Sequence, residues 1–134
     1  MFRIAKAAAD DMLRALLRRI DAGLDPAELR LFSGRLPRGT DIPTQIEPIG
    51  IIELLRPAGR IAGASLELRF VSDAVARRSG RVQWGRLING VGEVVFDCDA
   101  GTEGAALELN YSEYIEGGPI VVRRLIIVQP TQET

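Results

Sequence analysis

Between Arg81 and Val128 the chain alternates apolar and polar residues in short runs separated by turn residues. This pattern constrains the fold more than any other in the sequence. Val94, Phe96 and Cys98 alternate with Glu93, Val95, Asp97 and Asp99, and Leu107, Leu109 and Tyr111 alternate with Glu108, Asn110 and Ser112. Period two is the signature of strands with one dry and one wet face. Asn89-Gly90 falls between two such runs, and both residue types tolerate positive φ. A tight hairpin is therefore expected, with Leu87-Ile88 facing Val94-Val95-Phe96. Ile120 to Val128 is apolar on both faces except at Arg123 and Arg124, which predicts a strand covered on both sides, central in a sheet or at a subunit contact.

The rest of the chain follows from the same reading. Phe2 to Ala22 has helical periodicity, with Phe2, Ala5, Ala9, Met12, Leu13, Leu16, Leu17 and Ile20 on one face. Asp10 and Arg14 are placed to pair one turn apart. Gly23 is placed to end the helix, with Leu24 folding back onto its last turn. Asp25-Pro26-Ala27-Glu28 allows at most one further helical turn before Leu29, Leu31 and Ser33 take up strand alternation. Arg35 to Glu47 carries Pro37, Gly39 and Pro43, and is expected to be an exposed loop of the long kind that is functional, mobile or held by a partner. Ile49 to Leu55 reads as a short strand closed by Pro57 and Gly59. Ser65 to Phe70 reads as a strand with Leu66, Leu68 and Phe70 inward, and Val71 to Gly80 as a second exposed loop or a single helical turn.

The fold expected is mainly β: an antiparallel, jelly-roll-like β-sandwich of roughly seven or eight strands with one N-terminal amphipathic helix along it. At 134 residues this is one domain (1–134), with the helix in 1–24, the sandwich in 28–129 and a polar tail in 130–134. Parallel βαβ units are not expected, because no later helix is legible.

Chemistry is constrained by what the composition lacks. No histidine is present, which removes the commonest general base and the usual transition-metal ligand. Cys98 is the single cysteine and lies on the dry side of a strand; it is expected to be a buried thiol, and an intracellular origin is favoured. Asp97 to Glu103 has too few ligands for a calcium loop, and the glycines lack the strand-to-helix setting of a phosphate cradle. No catalytic residue, cofactor or metal is expected. Neither is a membrane span, since no run of about 18 apolar residues occurs.

Charge is unevenly spread. Arg56 to Arg86 holds seven arginines against two acids, and Glu93 to Glu116 holds seven acids and no base. The two segments can pair across strands within one chain, or a positive edge can meet a neighbour's negative edge. Nucleic acid is an unlikely partner, because the overall balance is acidic and aromatics are few. Trp84 is expected to anchor a core, with a ligand platform as the alternative.

Several of these motifs together resemble small structural proteins of tailed bacteriophages and prophages. The resemblance rests on an amphipathic helix running into DAGLDPAELRLFSG, a Pro/Gly loop, and Trp84, Arg86 and Leu87. It continues through Gly101, Gly104, Ala105, Leu107, Leu109 and Asn110, and ends at Gly117 and Gly118. The stretch Ile49 to Arg81 departs from that pattern in being richer in arginine. The resemblance implies a virion component of the head region, without enzymatic activity. The function expected is capsid decoration, or cement, at the virion surface, after a period in the host cytoplasm during assembly. Its expected partners are the major capsid protein and further copies of itself. A tail or head-completion ring protein is the first alternative; the second is a small-molecule or carbohydrate-binding sandwich using Trp84, Asp97 and Asp99. Candidate interface residues are Phe2 and Arg3 on the arm, Arg35 and Arg38 in the first loop, Arg77 and Arg78 in the second, and the acids Asp97, Asp99 and Glu103.

Overall fold

Alternation along the strands fills one continuous interior. Leu29, Leu31, Ile52, Leu54, Leu66, Leu87, Leu107, Leu109 and Leu125 are all buried against one another. The computed structural model describes residues 2–44 and 46–129, so the expected tail 130–134 lies outside the described residues. One helix, α1 (Lys6–Ile20), precedes nine strands: β1 (Glu28–Phe32), β2 (Gly50–Ala62), β3 (Ser65–Phe70), β4 (Gly80–Arg81), β5 (Trp84–Ile88), β6 (Val94–Gly101), β7 (Leu107–Leu109), β8 (Glu113–Tyr114) and β9 (Val122–Val128). Seven of them close into a barrel in the order β1-β2-β3-β9-β7-β6-β5, and β4 and β8 form a separate two-stranded ribbon.

The mainly-β expectation with one helix holds, but the architecture is a barrel and not a jelly-roll sandwich. The difference lies in β1, which pairs with β2 on one side and with β5 on the other, so the sheet closes on itself. Strand β2 makes closure possible. Its register against β3 jumps between Leu54 and Gly59, and an irregularity of this kind bends the strand out of one ladder and into the next. Pro57 sits in that unpaired stretch, where its missing N–H costs nothing, so it does not end the strand as its sequence position suggested. A Cβ at Gly59 would meet the carbonyl of Glu67 at 2.5 Å, so only glycine allows the two strands to close up here.

Two further departures are local. β6 and β7 pair in parallel, Ala100 opposite Leu107 and Gly101 opposite Glu108, where only antiparallel pairs were expected. The chain from 102 to 106 turns through a full loop between them, held where Asp99 Oδ1 accepts from the Ala106 amide at 2.9 Å. The β5–β6 connection is longer than a two-residue Asn-Gly turn: the register runs from Ile88 opposite Val94, and Gly92, not Asn89 or Gly90, takes positive φ. Gly90 is needed for a different reason, since a Cβ there would collide with the carbonyl of Asp25. Leu87-Ile88 do face Val94 to Phe96 as expected, with Leu87 opposite Phe96 and Ile88 opposite Val94.

The helix packs on the β2–β3 hairpin through Ala9, Leu13 and Ile20, with Leu16 and Leu17 half-buried, as its periodicity predicts. It begins at Lys6, not Phe2, where Ala5 takes an extended conformation as the N-cap, and Met12 faces solvent. Asp10 accepts from the Ala64 amide and leaves Arg14 to pair with Asp11. Its C-terminal end is clasped from two sides. Arg56 donates to the carbonyls of Asp21, Gly23, Leu24 and Asp25 at 2.7–3.2 Å, and Asn89 Nδ2 donates to the carbonyl of Arg19 at 2.9 Å. Cations and donors at this terminus satisfy carbonyls that the helix leaves unpaired. Leu24 does not fold back: it is 99% exposed.

Cys98 packs against the core from the inner face of β6, opposite Gly85. Burial first, and then the charges of Asp99 and Asp97, push its thiol up to about 12. It should therefore resist iodoacetamide at pH 8 in the folded protein and react on unfolding, with alkylation followed by mass spectrometry as the check. Ready labelling of the native protein would show that β6 opens.

Candidate interface surface

The outer face of β1, β5 and β6 carries a second dry cluster. Register places Phe32 opposite Trp84 and Arg86 opposite Asp97, and strand alternation turns all four away from the barrel interior. Phe32 and Trp84 stack with ring centroids 4.6 Å apart. Arg86 grips Asp97 with two parallel bonds, Nε to Oδ1 at 2.7 Å and Nη2 to Oδ2 at 2.9 Å, and its guanidinium carbon lies 5.4 Å from the Trp84 ring centre. The third nitrogen, Nη1, donates to the carbonyl of Ile42 at 2.7 Å. Arg86 is 4% exposed, and its raised pKa comes chiefly from the Asp97 bond. A bidentate pair in these surroundings is strengthened by the loss of water that would otherwise screen it.

What excludes that water is the long loop between β1 and β2. It is fixed at its start by the Gly34 amide on Gln83 Oε1 (2.7 Å), in its middle by Arg86 on Ile42, and at its end by the Ile49 amide on the Leu31 carbonyl (2.7 Å). Leu36, Ile42 and Ile46 on this loop are exposed. The loop is thus pinned through its backbone while it presents aliphatic side chains outward. Three large aliphatics in an otherwise polar Pro/Gly segment were the signal for this, and charge-based reading passed over them.

Eight of the nine candidate interface residues lie on the surface. Phe2 and Arg3 project ahead of the helix, beyond the β2–β3 turn to which Asp10 fastens it. Arg35 and Arg38 are exposed on the pinned loop. Arg77 and Arg78 are exposed on a loop tied to the Ile49 carbonyl, and Asp99 and Glu103 are exposed at the finish of β6. The register of Phe32, Trp84 and Asp99 puts these last six at one end of the barrel, apart from the arm. Asp97 is the exception: its side chain is 7% exposed and taken up by Arg86. Trp84 is buried beneath the loop, as an anchor, so Trp84, Asp97 and Asp99 do not form the open ligand face of the carbohydrate reading.

Pairing between the basic and acidic segments is limited to Arg86–Asp97 among the ion pairs of the described residues. Arg56 is spent on the helix end, and Glu93 pairs with Arg19 from the helix. Hydrogen bonds from Asn89 and Arg19 hold the Glu93 carboxyl below its ordinary pKa. Among the described residues no group of three or more acidic or cysteine side chains is placed to hold a metal, and no helix is long and apolar enough to cross a membrane. No family model matches the chain, and no curated protein or solved structure is significantly similar to it.

Proposed function

We propose that the protein is a non-enzymatic structural component of a tailed-phage virion, a decoration or cement protein that binds the outer capsid surface and braces it. The observation that carries this reading is the loop pinned by Arg86 beneath Ile42, with Leu36, Ile42 and Ile46 turned to solvent. A cement subunit needs adhesive side chains held in fixed positions on a stiff body, and a barrel with an anchored loop supplies both. The exposed Phe2 arm adds a second point of attachment. The virion setting is supported by the resemblance carried by Trp84, Arg86, Leu87 and the Gly101 to Asn110 run. Its partner is the major capsid protein, and repeated weak contacts across a symmetric lattice would give a firm hold through effective concentration.

One observation favours the ring reading as the alternative. Apolar side chains are exposed at both ends of the barrel: Leu24 and Val91 where β5 finishes, and Tyr111, Ile115 and Val121 where β9 begins. Unlike surfaces at opposite ends suit head-to-tail contacts that close into a ring. Quantitative mass spectrometry of purified particles separates the two readings, since a ring contributes about six or twelve copies and a lattice component hundreds. Capsids assembled with the protein should resist heating better than capsids without it. Equal resistance, or absence of the protein from purified heads, would rule cement out.

A further inference from the structure

The barrel is closed in topology, but one of its seams is parted. β3 and β9 pair only at Ser65–Val128, Leu66–Ile127 and Glu67–Ile126. Beyond these three positions no register pair joins 68–70 of β3 to 122–125 of β9. On its far side each strand is paired, β3 with β2 and β9 with β7, apart from one irregularity in each ladder at Arg69 and Arg123. The gap is a groove of about 250 Å³ whose floor includes Leu68, Phe70 and Val122. The facing edges of β3 and β9 therefore lack a ladder along this stretch, and a native sheet rarely leaves such edges open.

The side chains at the rim give the groove a charge preference. Arg69, Arg123 and Arg124 line it with Glu67 as the only acid. Arg69 and Arg123 take part in no ion pair among the described residues, and Arg124 reaches Glu108 only at 3.5 Å. We infer that the parted seam is a docking site for an extended segment of a partner protein, which adds as a strand to the open edges, with acidic side chains toward the arginines and apolar ones toward Phe70 and Val122. Main-chain pairing provides the hold and the alternate side chains provide the selectivity, as in strand addition generally. A polyanion without a backbone would meet the arginines but leave the strand edges unpaired. The inference does not depend on the virion reading, because it rests on the seam alone.

The test uses the full chain and a short labelled peptide alternating valine and glutamate, with fluorescence anisotropy as the readout. Binding is expected, with about tenfold weakening in the double variant Arg69→Glu/Arg123→Glu, a size reasonable for two exposed charge contacts. The same peptide with lysine for glutamate should bind the variant better than the unchanged protein. A backbone N-methylated glutamate peptide should not bind either, because it cannot complete a ladder. Both substituted arginines are exposed, so circular dichroism of the variant should be unaltered. In the free protein, amides along 68–70 and 122–125 facing the seam should exchange with solvent faster than those of the β5–β6 ladder. Slow exchange there, failure of the glutamate peptide to bind, or equal binding of the N-methylated peptide would each overturn the proposal.

Discussion

Replacing Asp97 by alanine should lower the unfolding free energy by about 3–5 kcal/mol, the usual cost of breaking a buried ion pair from one side. The cost arises from what remains and not from what is removed. Arg86 would keep its bond to the Ile42 carbonyl and its place over Trp84, but two of its nitrogens would face a dry enclosure without an acceptor. Removing both charges at once, in Arg86→Met/Asp97→Leu, should cost less than Asp97→Ala, because no orphan charge is then enclosed. Glu103→Gln, exposed just beyond the same strand, should change stability by no more than about 0.5 kcal/mol. Urea unfolding of the four proteins, followed by the fluorescence of Trp84, gives all these values. A loss below about 1 kcal/mol for Asp97→Ala would mean that water reaches the pair and that the loop does not seal it.

Trp84→Ala should be of similar severity, about 3–5 kcal/mol, since it removes a fully buried ring, its stack on Phe32 and the platform beneath Arg86. Trp84→Phe separates the ring from its N–H. The indole Nε1 is buried and has no hydrogen-bond partner among the described residues, so deleting that donor relieves an unsatisfied group. Trp84→Phe should therefore cost less than Trp84→Ala, under about 2 kcal/mol, because the phenyl ring keeps a stacking partner for Phe32 and the cavity left is only that of the lost five-membered ring. If Trp84→Phe were as damaging as Trp84→Ala, the loss would exceed what the smaller ring's cavity costs, and the N–H would have to be donating to an acceptor such as a bound water. The two substitutions thus probe the same ring for two different properties.

The helix face and most strand positions were legible because both are local: periods of 3.6 and 2 are written within each segment. Ala9, Leu13 and Ile20 point to the core for that reason, as do Leu66 and Leu87. Closure was not legible. Alternation tells which side of β1 is dry but not that β1 is paired along both edges, and nothing near Leu29 marks the arrival of Leu87. The candidate surface was half legible. Charge and loop length drew attention to Arg35, Arg38, Arg77 and Arg78, which are exposed, but the same reasoning took Asp97 for a wet-face acid. The correction lay in Phe32, Trp84 and Arg86, three bulky residues on the outward side of strands whose inward side was already apolar. Two dry faces on one strand imply a cover, and the only long uncommitted segment nearby was the Pro/Gly loop. Arg56 and Asn89 had no local signal at all, since each acts on backbone carbonyls from a distant part of the chain.

The ladder between β1 and β5 also sets how the chain can reach this structure. The β2–β3 and β5–β6 hairpins join neighbours in sequence and can zip up on their own, whereas Glu28 meets Ile88 only after everything between them has been placed. Contacts of such long range raise the entropy that must be lost before they reward it, which slows folding relative to hairpin formation. On the ribosome the first half would wait, with Leu29 and Leu31 lacking one wall of their enclosure, until Trp84 to Ile88 emerged. A chaperone that shields short apolar strands would find its substrate in that interval.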